Sequence, residues 1–117
     1  MAIVEKVSDL AGIFGTSVGS AEGISQGVKS ANKFGAIKIA SFDAPEQAIT
    51  DLRNGVIDIL LAQKPADMGR IAVDYAVDAL RGDTSAIQKL VHTGFVIIDK
   101  DNIDTPEAQA AIYVNNY

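Results

Sequence analysis

Three short polar side chains stand where apolar runs give way to turns: Ser17 after AGIFGT, Asp43 after AIKIASF and Gln63 after VIDILLA. If these runs are strands of an open α/β sheet, all three residues lie beyond strand carboxyl ends, where such sheets bind ligands. A carboxylate can accept from two adjacent hydroxyls, and a Gln amide can donate and accept at once. Together they suit a neutral polar ligand, with no metal and no cofactor. Two of the three also have a plain structural use. Asp43 opens DAPE, so it can equally be the N-cap of a helix with Glu46 at N3. Ser17 reads more readily as a turn residue. Gln63, followed at once by Lys64 and Pro65, has no obvious capping or turn role.

Other chemistries find less support. Gly15, Gly19 and Gly23 are spaced G-x3-G-x3-G, which is neither the dinucleotide fingerprint nor the P-loop. The turn Ser17–Ser20 offers free helix N–H groups to a phosphate, so a flavodoxin-like nucleotide or phosphate site there is the alternative reading. No Lys or Arg lies beside it. Nucleophilic catalysis needs a nucleophile, a base and an orienting group. The single histidine, His92, falls in an apolar stretch read as strand, cysteine is absent, and no HExxH spacing occurs. A receiver-type phosphoacceptor would carry paired acids after its first strand, where this chain has Ser17-Val18. The expectation is a binding protein, not an enzyme.

The elements that must position these residues follow from periodicity. Apolar runs at 11–16, 36–42 and 56–62 read as strands, and a further one or two fall at 90–92 and 94–98. Helices are predicted from Ser20 to about Phe34, from Pro45 to Asn54 and from Asp67 to Arg81. A last short one follows Asp104-Thr105-Pro106-Glu107, with Asp104 as its capping acid. Ile3, Val4 and Val7 suggest a short helix or an extended lead-in, and the final NNY is expected to fray. The alternation predicts an α/β fold with a mostly parallel sheet, helices on both faces and right-handed crossovers. The near-continuous apolar run of the third strand suits cover on both sides.

Composition agrees with one globular unit. Of 117 residues, 48% are hydrophobic and 21% charged, and the net charge is −5 with basic residues scattered along the chain. That excludes the basic stripe of a nucleic-acid binder. No run approaches a membrane span. The opening MAIVEKVSDLAG lacks the basic start and long apolar stretch of a signal peptide.

The ordered series GIFGT-x2-GSA-x-G, IKIASFDAPEQ, L-x-N-G-x-I-D-x-L-x-AQ-x-P-x-x-MG-x-x-AV, L-x-G and VIIDKDNID resembles the C-terminal part of the ribose/galactose-type periplasmic sugar-binding proteins of bacterial ABC importers. The resemblance runs from about Leu10 to Tyr113. It implies a periplasmic-binding-protein-like, Rossmann/flavodoxin-like lobe that closes on a sugar, serves an ABC permease and works in the periplasm or outside the cell. Asp43 matches the family's aspartate for sugar hydroxyls and Gln63 its glutamine beside the hinge. Ser17 falls where the family has Asn followed by Asp, a departure that weakens the third contact. Sugar-responsive transcription regulators share the fold, so an effector-binding piece of one is a further alternative.

The same resemblance divides the chain into a ligand-side βαβαβ core at 10–63, a segment at 66–91 belonging to the other lobe, and a return strand and helix at 92–117. The first lobe is not in this sequence. The apolar stripe Met68–Ala79 must then be buried by folding back on its own sheet, by exchange with a second copy, or by a separate first lobe. Fold-back or self-association is the expectation.

Overall fold

A computed structural model describes residues 3–113; the expected fraying of the NNY tail lies outside them. The elements in chain order are α1 (Ile3–Lys6), β1 (Gly12–Gly15), α2 (Val18–Ser30), β2 (Lys38–Phe42), α3 (Glu46–Arg53), β3 (Ile59–Gln63), α4 (Pro65–Leu80), β4 (Phe95–Ile98) and α5 (Pro106–Ala111). The sheet order is β1-β2-β3-β4. The first three strands are parallel, and β4 runs antiparallel to β3. The α/β, mostly parallel expectation therefore holds.

Strand period 2 sorts the sheet into two unlike faces. Ile39, Leu60, Ala62, Val96 and Ile98 are buried and meet Val28 of α2, Ile49 and Leu52 of α3 and Ala108 of α5 in one core, with the buried Ser41 on the same face. The opposite face carries Phe14, Phe42, Ile59, Leu61, Phe95 and Ile97, none of them buried. Phe14 is 48% exposed, Phe95 52% and Ile97 50%. Among the described residues the helical cover lies on one face only, which corrects the expectation of helices on both. The apolar run of β3 is a two-sided pattern, but this stretch of chain contributes cover for one side.

Local signals explain most boundaries. Gly35, Gly55, Gly82 and Gly94 all have positive φ; Gly55 follows Asn54, the C-cap of α3, as a helix-ending glycine should. The cap of α2 is Ser17 rather than Ser20, and Ser20 is its partner in a capping box. For α5, Thr105 accepts from the Ala108 N–H, while Asp104, expected as the cap, pairs with Arg53 at 2.6 Å. No strand forms at 90–92, and His92 is exposed on an irregular segment.

The excursion from Lys64 to Gly94 departs most from a compact domain. Gln63 ends β3 and pairs with Phe95, the first residue of β4, so the chain leaves and re-enters the sheet at neighbouring points. Between them α4 has no buried residue. Val73 is 62% and Leu80 89% exposed. Fold-back is thus not what this chain does: anchored at both ends on one rim of the sheet, the segment projects past that rim instead of returning over a face. The radius of gyration is 17.9 Å with extents of 58 × 29 × 26 Å, against roughly 13 Å expected for a compact chain of this length.

Candidate functional site

The rim from which the excursion projects is also where the parallel strands end and where the candidate side chains sit. Ser17 follows β1, Asp43 follows β2 and Gln63 closes β3. Asp43 is not a helix cap. The N-cap of α3 is Pro45, which has no side-chain capping bond, and Asp43 lies two residues earlier with φ +73°. Its backbone N–H donates to Leu61 O at 3.0 Å, which extends the strand pairing by one residue and places the carboxylate beside β3.

That carboxylate is held from two sides. Gln63 Nε2 donates to Asp43 Oδ1 at 2.6 Å, and the Tyr113 hydroxyl donates to the same oxygen at 3.0 Å. The Tyr113 oxygen in turn accepts from the Gln63 backbone N–H at 3.2 Å. Burial pushes the Tyr113 phenol above its ordinary value, and the hydrogen bond and charge of Asp43 push the same way against a smaller opposing effect of the Gln63 N–H. The phenol therefore stays protonated and donating at neutral pH. Among the described residues, Asp43 Oδ2 has no intramolecular donor.

Sequence reasoning placed Asp43 and Gln63 at one rim, and the structure joins them. It missed Tyr113, which lies 70 residues from Asp43 in the chain. The only available hint was an aromatic with a polar tip just past an amphipathic helix. Ser17 is not joined to the pair. Its hydroxyl accepts from Ser20 N at 3.3 Å, and Ser20 Oγ accepts from Ser17 N at 2.9 Å. Gly15 packs closely against that helix start: a Cβ there would stand 3.2 Å from Ala21 N and from Ser41 Oγ. With the Ser20 N–H occupied by the cap and no Lys or Arg at 12–28 in the sequence, the Ser17–Ser20 turn has little to offer a phosphate. The nearest basic residue along α2, Lys29, is engaged by Asp51 at 2.9 Å.

Beside the Asp43–Gln63–Tyr113 cluster lies an open cavity of about 520 Å³. Gln63, Pro65, Val96, Glu107, Ile112 and Tyr113 are among its lining residues. Its size falls within the range of small-molecule sites; Gln63 and Tyr113 face it, while Asp43 is not among its lining residues. Among the described residues no cluster of His, Cys, Asp and Glu could hold a metal ion.

Comparison with known proteins bears on the family and the fold. The model of a family described as periplasmic binding protein domain matches residues 2–84. An ABC transporter solute-binding protein from Agrobacterium vitis, solved with α-D-tagatopyranose, is 37% identical with a TM-score of 0.88, covering 95% of this chain and 37% of that one. A second A. vitis solute-binding protein, solved with D-fucose, is 30% identical with a TM-score of 0.86, over 95% of this chain and 38% of that one. A glucose-galactose binding protein from Geobacillus stearothermophilus is 27% identical with a TM-score of 0.79, over 89% and 36%. The chain thus spans less than two-fifths of the length of these structures. A search of the curated proteins found no match.

Proposed function

The chain belongs to the periplasmic binding protein domain family, and from that premise we propose that it supplies one wall of a sugar site in the solute-binding component of a bacterial ABC-type carbohydrate importer. The observation that carries the reading is the Asp43–Gln63 pair, bonded at 2.6 Å on the rim where the parallel strands end. Asp43 Oδ2 is available to accept from sugar hydroxyls, and the remaining Gln63 amide capacity can both donate and accept. The chemistry is recognition without turnover. Solved relatives with tagatose and fucose bound support a monosaccharide as ligand.

The second wall of such a site lies beyond this chain. In this reading, residues 66–91 belong with the other lobe, and the α4 stripe of Met68, Ile71, Ala72, Tyr75, Ala76 and Ala79, none of it buried, awaits it. That surface is supplied by a first lobe or by a second copy exchanging the same segment. The permease contact and a periplasmic or extracellular location follow from the role. No helix among the described residues is long and apolar enough to cross a membrane.

Calorimetry with a panel of pentoses and hexoses tests the reading. One wall leaves the ligand half solvated and unclamped, so the chain alone is expected to bind at best at about millimolar Kd, near −4 kcal/mol. Micromolar affinity in this chain would show that the site is complete without a second wall. Binding that survives Asp43→Ala unchanged would move the site elsewhere.

A further inference from the structure

We infer that Tyr113 is the positioning residue of this site, its hydroxyl standing between the Gln63 backbone and the Asp43 carboxylate and holding the two ligand groups in one arrangement. The inference rests on the sugar reading of Asp43 and Gln63, and concerns how those residues are kept in place. A hydroxyl suits the position because it accepts and donates at once. It takes the Gln63 N–H at 3.2 Å and gives its proton to Asp43 Oδ1 at 3.0 Å.

The ring is itself fastened to the loop it orders. Tyr113 N donates to Ala44 O at 3.1 Å, and Tyr113 pairs with Pro45 in a parallel bridge. The segment after α5 is therefore stitched along the two residues that follow Asp43. Such support matters because Asp43 holds a left-handed backbone, φ +73°, which non-glycine residues keep only where surrounding contacts over-determine it. Tyr113 touches the two anchors and not, by this inference, the sugar. Its removal acts through Asp43 and Gln63.

The test uses the whole isotope-labelled chain and Tyr113→Phe, which keeps the ring. Without sugar, the Gln63 backbone N–H in Tyr113→Phe is expected to exchange with solvent at least about tenfold faster, the neighbouring β3 amides staying unchanged, since it loses its partner while the ladder remains. The Gln63 side-chain NH2 signals should move towards those of a free amide as the Asp43 carboxylate loses its second tether. Gln63 signals that match the wild type would overturn the inference. A second measurement does not depend on that variant folding: the Tyr113 ring carbon should titrate above the ordinary tyrosine value in the wild type and lower in Asp43→Asn. Equal midpoints would also overturn it. D-tagatose and D-fucose are then titrated into both proteins, with about three- to tenfold weaker binding expected for Tyr113→Phe; equal affinity counts against positioning. If neither sugar perturbs the wild type, the choice of these sugars for this chain fails, and the Gln63 and tyrosine signals alone decide the role of Tyr113.

Discussion

Asp43 and Asn32 are non-glycine residues with positive φ, at +73° and +52°, and the two have different reasons. Asn32 follows the C-cap of α2, where a left-handed Asn is an ordinary way to end a helix. Asp43 directly follows a strand, and no helix terminus calls for the conformation there, which costs on the order of 1 kcal/mol or more. What it achieves is to turn the carboxylate towards Gln63. A second aspartate shows the more usual structural role. Asp58, just before β3, takes Lys38 Nζ at 2.7 Å and the Ile39 N–H at 2.9 Å. Burial alone would raise its pKa, but those hydrogen bonds with the Lys38 and Lys100 charges outweigh it and hold it below the ordinary carboxylate value. A depressed carboxylate contributes stability that is full above its unfolded pKa and is lost as pH falls through the folded one. Asp58→Asn is therefore expected to flatten the acid-side fall of the urea midpoint below about pH 4. A variant as acid-sensitive as the wild type would remove Asp58 from that account.

At the scale of elements, the start of α2 separates a capping role from a ligand role for Ser17. Its hydroxyl and that of Ser20 satisfy each other's backbone N–H groups across the first turn, so Ser17→Ala should cost about 1 kcal/mol of stability. It should leave any sugar affinity of the chain within error. A large affinity loss at unchanged stability would restore Ser17 to the ligand set. The cap was open to misreading because Ser17 and Ser20 both suit the position, and in the structure Ser17 is the N-cap with Ser20 as its capping-box partner. The β3–α4–β4 unit teaches the opposite lesson. Its helix was legible from periodicity almost to the residue, Pro65–Leu80 against an expected 67–81. Periodicity shows that a stripe wants a partner without saying whether that partner is in the same chain.

The whole molecule is defined by two apolar surfaces left open: the bare sheet face and the stripe of α4. Phe14 and Phe42 cross the first of these edge to face, with ring centroids 5.8 Å apart. Contiguous exposed apolar patches of this kind mark contact surfaces or association liabilities. At neutral pH the chain should bind an apolar dye such as ANS and run above its monomer mass in light scattering. Phe95→Lys with Ile97→Lys, both at half-exposed positions, should reduce both signals while leaving the core intact. A wild-type chain that is strictly monomeric and binds no dye would mean that these surfaces find cover some other way.

The amino-acid sequence by itself determined the α/β class, most of the elements and the rim on which Asp43 and Gln63 lie. These follow from local periodicity, glycine and proline punctuation and the rule that strand ends carry ligands, all of which act within a few residues. Tertiary structure decided what depends on distant partners. As far as DAPE was concerned Asp43 could cap a helix or face a ligand; the fold gives the cap position to Pro45 and joins the Asp43 carboxylate to Gln63, 20 residues on, and Tyr113, 70 residues on. One-sided cover of the sheet was decided in the same way, since an apolar strand looks alike in sequence whether or not a helix is there to meet it.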